Sequence, residues 1–284
     1  MSKIRCLLAV VLAALAPVAA NAQVALLDAW QSDPTYCTQN ATFTVSGSAG
    51  DDRIALVALS AEENGNGPIS VNQVLLGDQV LTPIFNFVVG PASSNTGSGY
   101  HNLLWLGYLL DDGIRDAVGT TLTITWTNAP TGNATCGAFG EVKIHYGSYS
   151  SVDQTTPIGA SPPSNTEVGT AGNSNQATIQ PGTITAGAND QVLVVAVEGQ
   201  AYTWSAPEGY GSPETEECGL VGDCSDTVND HTSAVFARTQ GVVSENPLFT
   251  SNRSSATGAR QSIGAIALQV SAVVSARRRA IMVD

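Results

Sequence analysis

His101, His145 and His231 are the three histidines of this 284-residue chain, and none stands in a pattern that organises catalysis. There is no His-Glu-x-x-His or His-x-His pair, and no Gly-x-Ser-x-Gly elbow. A phosphate-cradling Gly-x-x-x-x-Gly-Lys loop and a dinucleotide fingerprint are also missing. Glycoside hydrolysis needs two carboxylates at a set separation across the scissile bond. Glu62, Glu63, Glu141 and Glu198 supply carboxylates, but nothing in their spacing marks a cleft. His145, between Ile144 and Tyr146, reads as a satisfied or exposed strand residue. Glu198 closes an apolar run and reads as an edge acid facing water. These residues point to a noncatalytic protein.

Metal and ligand chemistry have one candidate each. Asp111-Asp-Gly-Ile-Arg-Asp116 gathers Asp111, Asp112 and Asp116 in what reads as a loop, a candidate for structural calcium with backbone carbonyls completing an oxygen shell. It lacks EF-hand spacing, and Arg115 could neutralise the acids instead. No other cofactor is expected. Tyr202, Trp204 and Tyr210 lie in a Pro/Gly-rich segment and form a candidate stacking platform for a glycan. The competing reading is that they seal the end of a sandwich. Trp105 and Trp126 lie in strand-like runs and read as core.

The compartment follows from the N-terminus. Lys3 and Arg5 precede an apolar run from Cys6 to Ala16, and Ala20-Asn21-Ala22 is a small-x-small cleavage pattern. Residues 1–22 therefore read as a secretory signal, too short in its apolar part to span a bilayer, with the mature chain starting at Gln23. No later stretch is apolar enough for a membrane helix, so a secreted or cell-surface bacterial protein is expected. Four cysteines follow: Cys37, Cys136, Cys218 and Cys224. An even count in an oxidising compartment reads as two disulfides with three possible connectivities. The short loop from Cys218 to Cys224 is the easiest closure, which leaves Cys37 with Cys136. On the loop-entropy model the long bridge would restrain the unfolded chain by about 4–5 kcal/mol.

Charge removes one partner class. Without Lys3 and Arg5 the chain carries nine basic and 24 acidic residues, a net of −15. Such a body repels phosphate backbones, so nucleic acid is not an expected partner. Arg277, Arg278 and Arg279 sit in the terminal stretch, 271–284, which reads as a solvated tail.

Elements that would position any site are short and strand-like. Arg53 to Ser60 follows the Gly50-Asp-Asp turn, and Ile69 to Leu76 leads into Gly77-Asp78, a hairpin-type turn before Gln79 to Thr82. Asn102 to Leu110 is almost continuously apolar. Thr120 to Thr127 alternates, with Leu122, Ile124 and Trp126 on one face. Glu141 to Tyr149, Ala177 to Gln180, Asp190 to Glu198, Thr232 to Arg238 and Ser262 to Val270 repeat the pattern. Val24 to Trp30 fits a helix-like piece or an edge strand. Turn signals every ten to twenty residues predict an all-β chain: a two-sheet antiparallel β-sandwich over 41–270 with long loops, preceded by an N-terminal segment, 23–40.

An ordered set of motifs resembles secreted bacterial β-sandwich surface modules of jelly-roll type. Gly50 to Glu62 resembles their opening strand, and Val71 to Thr82 is similar to their next hairpin, with Leu76 in place of a tyrosine and Asp78 in place of a second glycine. Leu104 to Leu110 matches their aromatic central strand, Asp153-Gln-Thr-Thr-Pro157 their turn, and Ser262 to Leu268 their last strand. The resemblance implies a noncatalytic structural, adhesive or matrix-forming module. Its partners would be other surface proteins, further copies of itself or an extracellular glycan. It carries over no catalytic residue.

Overall fold

A computed structural model of the chain describes residues 22–33, 40–64, 68–90, 100–130, 141–168, 177–199, 202–218, 231–252 and 260–271. Residues 1–21 of the expected signal segment, Cys37, Cys136, Cys224 and the residues beyond 271 lie outside these residues. Cys218 ends a strand, but its side chain lies outside them too, so neither expected disulfide can be placed.

The first half of the chain forms β1 (Ala25–Ser32), β2 (Asn40–Thr42), β3 (Ile54–Asn64), β4 (Ser70–Leu76), β5 (Gln79–Val80), β6 (Thr82–Val89), β7 (Tyr100–Leu110), helix α1 (Asp111–Asp116), β8 (Thr121–Asn128) and β9 (Glu141–Ser150). The second half forms β10 (Ser164–Val168), β11 (Ala177–Ile179), β12 (Ile184–Ala186), β13 (Gln191–Glu198), β14 (Trp204–Ser205), β15 (Thr215–Cys218), β16 (Thr232–Ala237), β17 (Val243–Glu245), β18 (Phe249–Ser251) and β19 (Arg260–Leu268). Every strand pairing is antiparallel. The expected all-β antiparallel sandwich is present, and its sheets are stacked more deeply than a single pair.

Strands β1-β9-β3-β7-β6 make a first inner sheet, and β10-β19-β13-β16-β15 a second. A sheet of order β2-β8-β4-β5 covers the outer face of the first. Two small sheets, β11-β18-β14 and β12-β17, cover the outer face of the second. Alternation along each inner strand builds three apolar layers. Val57, Leu59, Leu103, Trp105 and Ile144 meet Val74, Leu122 and Ile124 in the first. Ile54, Leu56, Leu104, Leu106 and Tyr149 meet Leu193, Val195, Val235 and Ile266 between the inner sheets. Val194, Phe236, Ile263 and Ala265 meet Ile179, Trp204, Tyr210 and Phe249 in the third. A strand covered on both faces must be apolar at consecutive positions, which is why Asn102 to Leu110 and Asp190 to Glu198 read as continuous runs. Each Val, Leu or Ile so buried contributes about 1.5–3 kcal/mol.

Local signals place the turns. Gly77 has φ 59, and a Cβ there would lie 2.6 Å from the Val118 carbonyl oxygen, so glycine is required at the β4–β5 hairpin. Val24 to Trp30 resolves as edge strand β1, paired with β9. Between the inner sheets, a Cβ on Gly264 would come within 2.5 Å of the Phe85 ring, so a missing side chain in β19 lets β6 pack against it.

Residues 151–163 join the two halves as a strap along one end of the interlayer. Val152 and Ile158 form isolated bridges to Val270 and Leu268, and Asp153 N donates to Gln269 O at 2.9 Å. Asp153 Oδ1 accepts from the N–H groups of Thr155 and Thr156 at 2.7 and 2.8 Å, which closes the Asp-Gln-Thr-Thr-Pro turn. Gln154 then reaches back to the first half. Its Oε1 accepts from Asp111 N at 3.0 Å, and its Nε2 donates to Arg53 O at 3.2 Å and Val152 O at 3.0 Å. The turn is a bolt between the sandwiches.

Candidate functional site

The polar groups able to do acid–base chemistry converge at the other end of the same interlayer. Along β3 the residues facing the second inner sheet run Ile54, Leu56, Ala58, then Ser60 and Glu62. Register places Lys143 beside Ser60, and Asn102 and Glu141 beside Glu62. His145 follows Lys143 on the same face of β9. Opposite them stand His231 and Ser233 at the start of β16, and Arg260 and Ser262 at the start of β19. At about 3.3 Å per residue, the eight steps from Ile54 to Glu62 separate strap and cluster by roughly 26 Å.

Two serine–histidine pairs cross the interlayer in opposite senses. Ser60 Oγ of the first sheet is 2.7 Å from His231 Nε2 of the second. His145 Nε2 of the first is 2.6 Å from Ser233 Oγ of the second. Around them, Lys143 Nζ donates to the His231 carbonyl and lies 2.8 Å from Glu141 Oε1. Glu141 Oε2 is 3.4 Å from His231 Nδ1. Asn102 Nδ2 donates to Arg260 O at 3.2 Å, and Arg260 Nη2 lies 3.5 Å from Glu62 Oε1. Every one of these ties joins the inner sheets or braces a group that does.

Burial sets the protonation states. His145 is pushed down to about 3 by its burial, with the charges of Lys143 and His231 adding to the effect. His231 is lowered by burial as well, against an opposing pull from Glu141. Burial works to raise Glu141, but the charges of His231 and Lys143, and hydrogen bonds from both, hold it down to about 2. Both histidines are therefore neutral at pH 7, and Glu141 is ionised.

Ser60, His231 and Glu141 stand in the order nucleophile, base and acid of an acyl-transfer relay. Their placement is unlike that of a working nucleophile. Ser60 lies mid-strand, 1% exposed, and His231 and Glu141 are fully buried. As placed, the serine hydroxyl serves a histidine of the facing sheet.

Open space lies elsewhere. A cleft of about 670 Å³ beside the strap end is lined by Gln23, Val24, Tyr149, Tyr210, Glu214 and Arg238 among others. Its polar side chains are largely engaged already. Gln240 Nε2 donates to Val24 O at 2.6 Å, and Arg238 Nε pairs with Glu245 at 2.8 Å.

The expected sites are placed as follows. Trp204 and Tyr210 are each 3% exposed and belong to the third apolar layer, where Tyr210 meets Phe249 edge-on at 5.2 Å. With Tyr202 only half-buried beside them, they form no exposed platform, because the outer strands β14 and β18 need large side chains to cover β13 and β16. Trp126, expected in the core, is only half-buried, since β4 and β8 shift register around it. Asp111, Asp112 and Asp116 lie on α1 rather than in a loop. Asp111 is buried against the Arg53 guanidinium and accepts from Gly50 N at 2.6 Å. Asp112 and Asp116 pair with Arg115 at 2.6 and 2.9 Å. Among the described residues, no group of three or more His, Cys, Asp or Glu gathers around a metal position. Glu198, read as an edge acid in water, is fully buried where β13 lies between β16 and β19.

The convergence of His145, His231, Glu62 and Glu141 is not visible in the sequence, where each stands alone. A signal was available: polar residues inside strands long enough to be covered on both faces must find buried partners. Comparison with protein-family models, with curated proteins and with solved structures finds no match to this chain.

Proposed function

We propose that this chain is a noncatalytic extracellular module, structural, adhesive or matrix-forming, of the secreted bacterial jelly-roll type. The observation that carries the reading is the inward placement of the chemistry. Ser60, Glu62, Glu141, Lys143, His145 and His231 are all buried, and they spend their hydrogen bonds holding two sheets together. A fold that commits these acids, bases and histidines, with Trp204 and Tyr210, to its interior is built to be a stiff body. Its function then lies in surface contact, with copies of itself, other surface proteins or a glycan. The same proposal includes export by cleavage after Ala22 and disulfides Cys37–Cys136 and Cys218–Cys224.

A hydrolase is the second reading, favoured by the Ser60–His231–Glu141 order alone. A fluorophosphonate probe on the native secreted protein separates the two, with Ser60→Ala as control. The structural reading expects no labelling at Ser60. Labelling lost in Ser60→Ala overturns it. Electron microscopy of the same preparation should show filaments, sheets or clustered particles. Isolated particles that bind a glycan array would move the reading to a carbohydrate-binding protein.

A further inference from the structure

We propose that the polar end of the interlayer is an acid-sensitive clasp: protons entering it make the two inner sheets part at that end, with the 151–163 strap as the hinge. The inference rests on reading the cluster as an inter-sheet tie and adds regulation to it.

The geometry has three parts. First, two of the ties that cross between the sheets end on an imidazole, beside those from Lys143 to His231 O and from Asn102 and Glu62 to Arg260. Ser60–His231 and His145–Ser233 each join a strand of one sheet to a strand of the other. Second, the charged side chains beside the histidines are paired with one another. Glu62 on β3 and Glu141 on β9 carry two negative charges, and Lys143 on β9 and Arg260 on β19 two positive ones. The other described side chains around them are neutral: Ser60 on β3, Asn102 on β7, Ser233 on β16, Ser262 on β19, and Ser32 of β1 at the register position beside His145. On β15, Glu217 holds the register position beside Ser233. Two added protons would place two further positive charges next to Lys143 and Arg260, and burial already disfavours charge on both rings. Third, the two ends of the interlayer are held differently. The strap end carries backbone bridges and the Gln154 bolt, none of which titrates near neutral pH. The clasp end is held by side chains, and two of its cross-sheet ties end on imidazoles. Opening about the strap would expose Leu104, Leu106, Val195 and Ile266, now buried between the sheets.

Small-angle scattering and far-ultraviolet circular dichroism on the mature protein from pH 7 to pH 3 test the idea. Expected is a rise in radius of gyration below pH 6 with the strand signal retained, and protonation of His145 and His231 at that same midpoint by imidazole NMR. His145→Gln with His231→Gln keeps neutral hydrogen-bonding groups and should lower the midpoint by about one pH unit or abolish the opening. A constant radius down to pH 3 overturns the proposal, as does simultaneous loss of strand signal, or imidazoles that titrate near their ordinary value in the closed form. If the double glutamine variant does not fold, Ser60→Ala with Ser233→Ala replaces it. Removing those partners should raise the midpoint, and an unchanged midpoint counts against the clasp. A flat pH response leaves the probe and imaging results standing, so the two readings fail separately.

Discussion

Replacing Glu141 by glutamine should be among the most damaging single changes in the protein. Its carboxylate is fully buried, with Lys143 Nζ at 2.8 Å and His231 Nδ1 at 3.4 Å. At an effective dielectric of about 20, two unit charges at that first separation attract by about 6 kcal/mol. Desolvation offsets much of this, so the intact pair adds little net stability. The variant is different, because it leaves the Lys143 ammonium buried without its neighbour. Removing one partner of a buried pair costs about 3–5 kcal/mol. Glu141→Gln with Lys143→Met removes both charges and keeps the volume, so it should recover most of that loss. The assay is urea denaturation at pH 7 of the parent, both single variants and the double, read as a double-mutant cycle. Glu141→Gln within about 1 kcal/mol of the parent, or a double variant no better than the worse single, would refute the picture of a tightly coupled clasp.

Other expectations follow from the same structure. Trp204→Ala should cost about 3–5 kcal/mol by denaturant midpoint, and Trp126→Ala clearly less, because only the first is fully enclosed. Gln154→Ala removes three hydrogen bonds of the bolt and should lower stability by about 1–3 kcal/mol without changing strand content. The pH dependence has a defined sign: His145 held below its ordinary value stabilises the fold fully above about pH 6.5, where the unfolded histidine is neutral too, and that contribution drains away as the pH falls toward 3. By pH 4.5 His145 alone should remove about 3 kcal/mol, with His231 acting in the same direction, and His145→Gln should flatten the curve in a urea titration series.

Fold class was legible because the turn chemistry and the alternation are local. Gly77-Asp78 makes the hairpin it announces, and Thr121 to Thr127 presents Leu122 and Ile124 to the core as its period requires. The stacking of sheets was visible only as a length clue, the continuous apolar runs in β7 and β13. The clasp was invisible for a physical reason: Ser60 and His231 are 171 residues apart, and which face of which strand they share depends on how the two halves dock. Glu198, which sequence places at a strand end, lies on the other face of β13 and is buried too. Tyr210 and Trp204 show the converse, since a Pro/Gly-rich segment gives no hint that the strands within it lie flat on a neighbouring sheet. The Asp-Gln-Thr-Thr-Pro turn was recognisable as a pattern, but its role as the bolt between the two halves emerges only from the partners of Gln154.

Calorimetry of the chain from Gln23 onward at pH 7 bears most directly on the central claim, that strap and clasp make two sandwiches into one stiff body. The account predicts a single transition whose calorimetric and van't Hoff enthalpies agree, because neither half can expose the shared apolar layer alone. Two separable transitions at neutral pH, one for each half of the chain, would contradict it.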